Sequence, residues 1–215
     1  MDCGSLRMPG RSVVHIPQPV AWDTLEPEWD HVRMAELPDV LAAESVQLRR
    51  WSPSFAEAML IAVEESFAEL AQWMPWAQEV PTIGGLQAVL SQGELDFDAD
   101  RNWEYAIFDA ESDEVVGAIG LHRTEDLDTF EIGYWVRTSQ TRRGVATLAA
   151  RAVVSAVSTC LDAASKIIIR MDQANVASAS VARKLGFGLA REEDREIAAV
   201  GHTGRGYVWI LDLAG

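Results

Sequence analysis

Between Trp103 and Val136 apolar and polar residues alternate in three successive segments, Trp103 to Asp109, Glu114 to His122 and Thr129 to Val136. Side chains on a strand point alternately to its two faces, so a period of two predicts three strands. The acidic loops between them, Ala110 to Asp113 and Arg123 to Asp128, are short enough to join antiparallel neighbours. After Gly144 the period changes to that of a helix, with Val145, Leu148, Ala149, Ala152, Val153, Ala156 and Val157 on one face.

The flanking segments complete a layered α/β pattern. Val46 to Trp51 predicts a first strand, and Ser52-Pro53 supplies a helix cap followed by Pro at the first helical position. Phe55, Ala58, Met59, Ala62, Val63, Phe67 and Leu70 form the apolar face of that helix; Glu57, Glu64, Glu65 and Glu69 lie opposite. Trp73-Met74-Pro75-Trp76 closes it, and a second, short helix is expected to follow Thr82 and stop near Gly93. Ile167-Ile168-Ile169, within Lys166 to Met171, predicts a buried strand. A helix from Asn175 to Leu185 ends at Gly186, and Tyr207 to Leu213 is a last strand. The order β-α-α-β-β-β-α-β-α-β-β predicts a central mixed sheet with helices on both faces. Residues 1–44, broken by Pro9, Pro17, Pro19, Pro27 and Pro38, are expected to be an irregular arm before a domain at 45–215, with Met34 as an alternative start.

Charge and cysteine usage narrow the function. A formal net charge of −15 argues against nucleic-acid binding, which needs a basic surface, and suits a cationic acceptor. Cys3 and Cys160 form neither a metal spacing nor a disulfide framework, which points to the reducing cytoplasm, and Cys160 ends an apolar helical stripe. No apolar run is long enough to span a bilayer, and the N-terminus lacks the pattern of a secretory signal.

The chemistry concentrates in one segment. Phe130-Glu131-Ile132-Gly133-Tyr134-Trp135-Val136 is a strand, Arg137 to Gln140 a polar turn, and Thr141-Arg142-Arg143-Gly144-Val145-Ala146-Thr147 the entry to a helix. A helix N-terminus offers unpaired N–H groups and a positive dipole end, both suited to phosphate oxygens. Gly144 permits close backbone approach, Ala146 is small, and Arg142 and Arg143 add charge. By themselves the same residues also describe a capped surface turn.

This stretch resembles the acyl-CoA signature of the GNAT N-acetyltransferase superfamily, [QR]-x-x-G-x-[GA]. Gly144 and Ala146 match it, whereas Thr141 stands where Gln or Arg is usual and Arg142 where Gly is frequent. Asn175-x-x-Ser178-x-x-Val181-x-x-Lys184-Leu185-Gly186-Phe187 is similar to the family's helix after the fifth strand. The resemblance spans about residues 46–213. It implies a GNAT fold with a mostly antiparallel sheet of six to seven strands and about four helices. Leu70 to Ala77 and Glu131 to Trp135 look most like the RimJ/RimL-like branch that acetylates ribosomal-protein N-termini.

The resemblance implies acetyl-CoA as co-substrate, no metal, and direct transfer to a primary amine, either a protein N-terminus or a small molecule. It assigns Trp135, Val136, Arg137, Arg142, Arg143, Gly144, Val145, Ala146, Thr147, Asn175 and Ser178 to cofactor binding. Trp73, Trp76 and Glu131 fall to the acceptor. Glu131 is the candidate base, since several family members carry a Glu there, and a backbone N–H near Val136 is the candidate oxyanion donor. The Tyr acid common on the later helix is replaced by Ala182, so Ser178 or a water takes its place. Tyr134 and His122 are weaker candidates. A homodimer through sheet edges or loops is a further expectation. An acyl-CoA-binding sensor without catalysis and a protein-interaction domain built on the Trp-rich loops are the other readings.

Overall fold

The structure, a computed structural model, describes residues 37–213. Most of the expected arm therefore lies outside the described residues. Its last part is not irregular: Val40–Ala43 forms strand β1, joined by a tight turn to β2, Val46–Arg50, with Glu44 at φ 48°.

The remaining elements follow the predicted order. Ser52 caps a short 3-10 turn, its hydroxyl accepting from the Ser54 amide, and the chain continues into α1, Ala56–Trp73. Thr82 caps α2, Ile83–Asp98. The meander is β3, Asn102–Asp109, β4, Val115–Arg123, and β5, Thr129–Val136. Then come α3, Val145–Cys160, β6, Lys166–Asp172, α4, Val176–Lys184, β7, Gly188–Asp194, and β8, Arg205–Asp212. Eight strands form one sheet in the order β1-β2-β3-β4-β5-β6-β8-β7, antiparallel except at β5–β6. The strand beyond the seven of the expected order is β1, at one edge.

α2 runs past the expected stop. A Cβ at Gly93 would lie 2.5 Å from the Trp51 ring, so the glycine is where the indole packs on the helix. Beyond it Phe97 is buried and keeps the helix on the sheet.

Two cores sandwich the sheet. Met59, Ala62, Val63 and Leu70 of α1 and Leu86 and Leu90 of α2 pack on Ala106, Phe108, Val115 and Ala118. On the other face Val145, Ala149, Val153 and Val157 of α3 and Ala179 and Ala182 of α4 pack on Ile107, Leu121, Ile132, Ile167 and Ile169. Among the described residues no helix is long and apolar enough to cross a membrane.

The sheet is interrupted at one place. β5 and β6 pair only through Thr129↔Lys166, Phe130↔Ile167 and Glu131↔Ile168. β5 continues to Val136 and β6 to Asp172, with β6 still paired to β8 on its other side. From Ile132 onward β5 therefore has a free edge among the described residues, and the two strands enclose a wedge-shaped opening. One of the sheet's two register shifts lies one strand away, on β3–β4 between Ile107 and Phe108; the other is on β7 between Leu189 and Arg191. A bulge bends its strand and raises the local twist, and bulges are frequent beside active sites.

Candidate active site

One lip of the opening is the end of β5 and the turn into α3. The Arg137 amide donates to Val116 O on β4 at 2.8 Å. Backbone groups alternate sides along a strand, so the amide of Val136 points the other way, into the opening. The turn is held from below by α1. Glu65 accepts from Arg137 Nε at 2.6 Å and from the Ser139 amide at 3.1 Å, and the buried Ser66 hydroxyl accepts from the Thr138 amide at 2.9 Å. Hydrogen bonds from Ser139 and Arg137 hold the Glu65 pKa below the usual carboxylate value. Arg137 is therefore a structural anchor of the turn, bound to a helix it was not expected to touch.

The turn delivers Gly144 as the cap of α3 with φ +86°, a left-handed conformation that favours glycine. Arg142 also sits at positive φ, 61°. The helix's own bonds begin with Leu148 N–H to Gly144 O, so the amides of Val145, Ala146 and Thr147 have no acceptor within the helix. A Cβ at Gly144 would meet nothing within 4 Å. Arg142, Arg143 and Gly144 are exposed, and Arg143 Nη1 donates to Gln140 at 2.5 Å. A cleft of about 390 Å³ beside this helix end is lined by Ser45, Asp109, Ala110, Glu111, Gln140, Arg143 and Val145. A larger groove of about 480 Å³, between Trp51 and the end of α2, lies apart from the opening and has its cation Arg50 paired with Asp98 at 2.6 Å.

The other lip is the turn from β6 to α4. Asn175 caps α4, its side-chain oxygen accepting from the Ser178 amide at 3.0 Å. Ser178 Oγ lies 2.9 Å from Tyr134 Oη, so a hydroxyl pair spans from α4 to the free part of β5. Burial pushes the Tyr134 pKa up to about 12 against the opposing Ser178 bond, which keeps the phenol protonated at neutral pH. Asp172 anchors this lip by accepting from the amides of Ala174 at 2.9 Å and Thr203 at 2.8 Å. Burial opposes its charge, but these bonds and the Thr203 hydroxyl outweigh it and lower its pKa.

Such a depressed carboxylate contributes stability that is present above the unfolded pKa, about 3.9, and is lost as pH falls through the folded value. Asp172→Asn is expected to cost about 2 kcal/mol at pH 7. Urea unfolding should show that gap closing below about pH 4.

Glu131 lies on the opposite face of β5, the side of α1 and α2. Its Oε2 accepts from Arg170 Nη1 at 2.5 Å, and Arg170 Nε is 3.7 Å from Glu193 on β7. Sequence reasoning missed Arg170; its one signal was a charge inside the apolar run of β6. Farther along β5, Trp135 faces Trp76 with ring centroids 6.5 Å apart. Trp73 is placed elsewhere, against the β7–β8 loop, where its carbonyl is 3.1 Å from His202 Nε2 and its ring is 3.2 Å from a Gly201 Cβ position. The structure thus gathers Glu131, Trp135 and Trp76 on one side of the opening and Tyr134, Asn175 and Ser178 on the other, with the α3 N-terminus at its mouth.

Residues 45–188 match the family described as acetyltransferase (GNAT) domain. RimL, a ribosomal L7/L12 alpha-N-protein acetyltransferase solved in complex with coenzyme A, superposes with a TM-score of 0.73 at 20% identity, over 80% of this chain and 97% of its own. The microcin C7 self-immunity acetyltransferase MccE, in complex with acetyl-CoA and AMP, gives 0.72 at 16% identity, over 79% and 93%. Mycobacterium smegmatis RimJ, in complex with CoA-disulfide, gives 0.71 at 20% identity, over 80% and 85%. At such identities these structures share the fold alone. No curated protein sequence matches the chain.

Proposed function

The chain belongs to the GNAT acetyltransferase family, and from that premise we propose that it transfers an acetyl group from acetyl-CoA to a primary amine held on the α1–α2 side of the sheet. The residues present fit an acyl-CoA. The free edge of β5 offers backbone groups to an amide-bearing arm, the open amides of α3 suit a diphosphate, and the space at Gly144 is one a side chain would fill. The observation that carries the reading is this juxtaposition of an unpaired strand edge and an unpaired helix N-terminus. Acetyl-CoA supplies the activated acetyl thioester.

The chain's own groups then have distinct tasks. Val145, Ala146 and Thr147 amides, with Arg142 and Arg143, hold the phosphates. Asn175 and the β5 edge orient the arm, and the Val136 amide donates to the carbonyl oxygen where charge develops. Ser178, backed by the protonated Tyr134, donates to the departing sulfur. Glu131, fixed by Arg170, draws and orients the cationic acceptor, with Trp76 and Trp135 walling its site. A carboxylate tied to a guanidinium suits that anchoring task better than it suits proton uptake. The acceptor is the amine of a small molecule or of a protein N-terminus; L7/L12, a ribosomal protein, is what RimL modifies.

Acetyl-CoA at a hundredfold excess over its Kd should stabilise the chain by about 2.7 kcal/mol, roughly 5–10 °C in Tm. A thiol-release screen over amine-bearing drugs, polyamines and N-terminal peptides then identifies the acceptor. No Tm shift at saturating acetyl-CoA would overturn the reading.

A further inference from the structure

The α1–α2 face of the sheet carries a second titratable pair beside Glu131, and nothing in the foregoing mechanism uses it. Glu104 on β3 and His122 on β4 approach with Oε1 3.5 Å from Nε2. Two glycines make room for them. A Cβ at Gly120 would fall on Glu104 Oε2 and 2.6 Å from His122 Nε2, and one at Gly133 would lie 3.8 Å from the same nitrogen. The imidazole therefore leans over a floor formed by Gly120 and Gly133. Gly133 belongs to the unpaired part of β5 and is exposed, so that floor reaches the edge of the opening.

We propose that His122, stabilised by Glu104, takes the proton from the acceptor ammonium. This rests on the acetyltransferase reading above. The ammonium N–H bond breaks and its proton passes to Nε2; the electron pair left on nitrogen forms the bond to the acetyl carbon, the carbon–sulfur bond breaks, and the departing sulfur gains a proton as the new amide nitrogen loses its second one. Glu104 is a positioning residue: its Oε1 lies 3.5 Å from Nε2 and faces the imidazolium once the proton arrives. Two observations favour this over a structural ion pair. The His122 side chain keeps 34% of its surface exposed against 18% for Glu104, so the imidazole is the member of the pair open to an incoming amine. The glycine floor beneath it reaches the part of β5 that β6 leaves unpaired. Desolvation raises the Glu104 pKa and nearby Asp96 adds to the rise, while His122 pulls it back. Around the pair stand Asp96 of α2, itself bound to Arg101 at 2.5 Å, and Glu131, which opposes His122 across the strands and is bound to Arg170.

The test uses the full chain, acetyl-CoA and the amine found by thiol release. His122→Gln is expected to lower kcat at least tenfold and to remove the acid limb of the kcat/KM pH profile. KM for acetyl-CoA should stay within about twofold, because the change removes no group at the donor site. Glu104→Gln should keep the limb but move it to lower pH, since losing a neighbouring anion disfavours the imidazolium. Glu104→Asp should restore part of the wild-type profile. Gly120→Ala, which changes no charge but displaces both side chains, should lower kcat in the same direction. The acetyl-CoA Tm shift checks that each variant is folded, and if His122→Gln is not, the Glu104 and Gly120 variants decide. An undiminished limb in His122→Gln, or a limb abolished by Glu131→Gln while His122→Gln keeps its own, overturns the inference and leaves the acetyltransferase reading standing. A wild type that shows no acetyl-CoA shift overturns that reading itself. One that binds acetyl-CoA but acetylates no amine overturns both.

Discussion

Gly144→Trp should bind acetyl-CoA more than about 100-fold less tightly than the wild type, the equivalent of losing two charge-assisted hydrogen bonds to phosphate. The fold should survive the change. Nothing lies within 4 Å of a Cβ built at Gly144, so the indole displaces no protein atoms and instead fills the space in front of the α3 amides. The φ of +86° adds a backbone cost of about 1–2 kcal/mol for any L side chain. That amounts to roughly 2–8 °C in Tm for a chain of this size. Gly144→Ala carries the same backbone cost without the bulk, and separates the two effects. Calorimetric titration of both variants with acetyl-CoA is the measurement. If the Trp variant binds like wild type, the phosphates sit elsewhere and the assignment of the α3 N-terminus is wrong.

What was legible in the sequence was what neighbours in the chain decide together. The meander from Trp103 to Val136 showed itself because alternation is a local property. The turn into α3 did so because turn, glycine and helix start are consecutive residues. β1 is four residues without a period to read, and β7, Gly-Leu-Ala-Arg-Glu-Glu-Asp, is exposed along nearly its whole length and charged over its last four residues. Both are strands because a neighbouring edge accepts them, and no local pattern records that. α2 outruns its expected end because Gly93, a residue that commonly ends helices, is here the seat of the Trp51 indole from the end of β2.

The site follows the same division. Glu131, Ser178 and Tyr134 were each visible as residues, but their partners were not. Arg170 reaches Glu131 from β6, and Tyr134 meets Ser178 across the opening between β5 and α4. Those distances depend on how the strands diverge after Glu131↔Ile168, which no residue pattern encodes. Trp73 and Trp76 looked equivalent in the chain, yet the turn after α1 sends one to the β7–β8 loop and the other to Trp135. Glu104 had one weak signal, a carboxylate inside an otherwise apolar strand.

Gly117→Ala is expected to destabilise the protein by about 3 kcal/mol, the upper part of the range for forced overpacking, and so to lower Tm by roughly 6–12 °C. Gly117 pairs with Val136 at the last rung of β4–β5, beside the register shift of β3–β4. A Cβ there would fall on the carbonyl oxygen of Trp135 and 3.1 Å from Val136 Cα. Both are backbone atoms, so no rotamer change relieves the clash and the end of β5 must move. That end carries the amide of Val136 and leads into the turn pinned by Glu65 and Ser66. Displacing it should also weaken acetyl-CoA binding. Gly186→Ala is the matched comparison, because Gly186 has φ +84° and open space around its Cβ position; it should cost only the backbone term of about 1–2 kcal/mol. Equal losses in the two variants would mean that the β4–β5 approach at Gly117 is not tight, and that the shape of the opening is set by β6 alone.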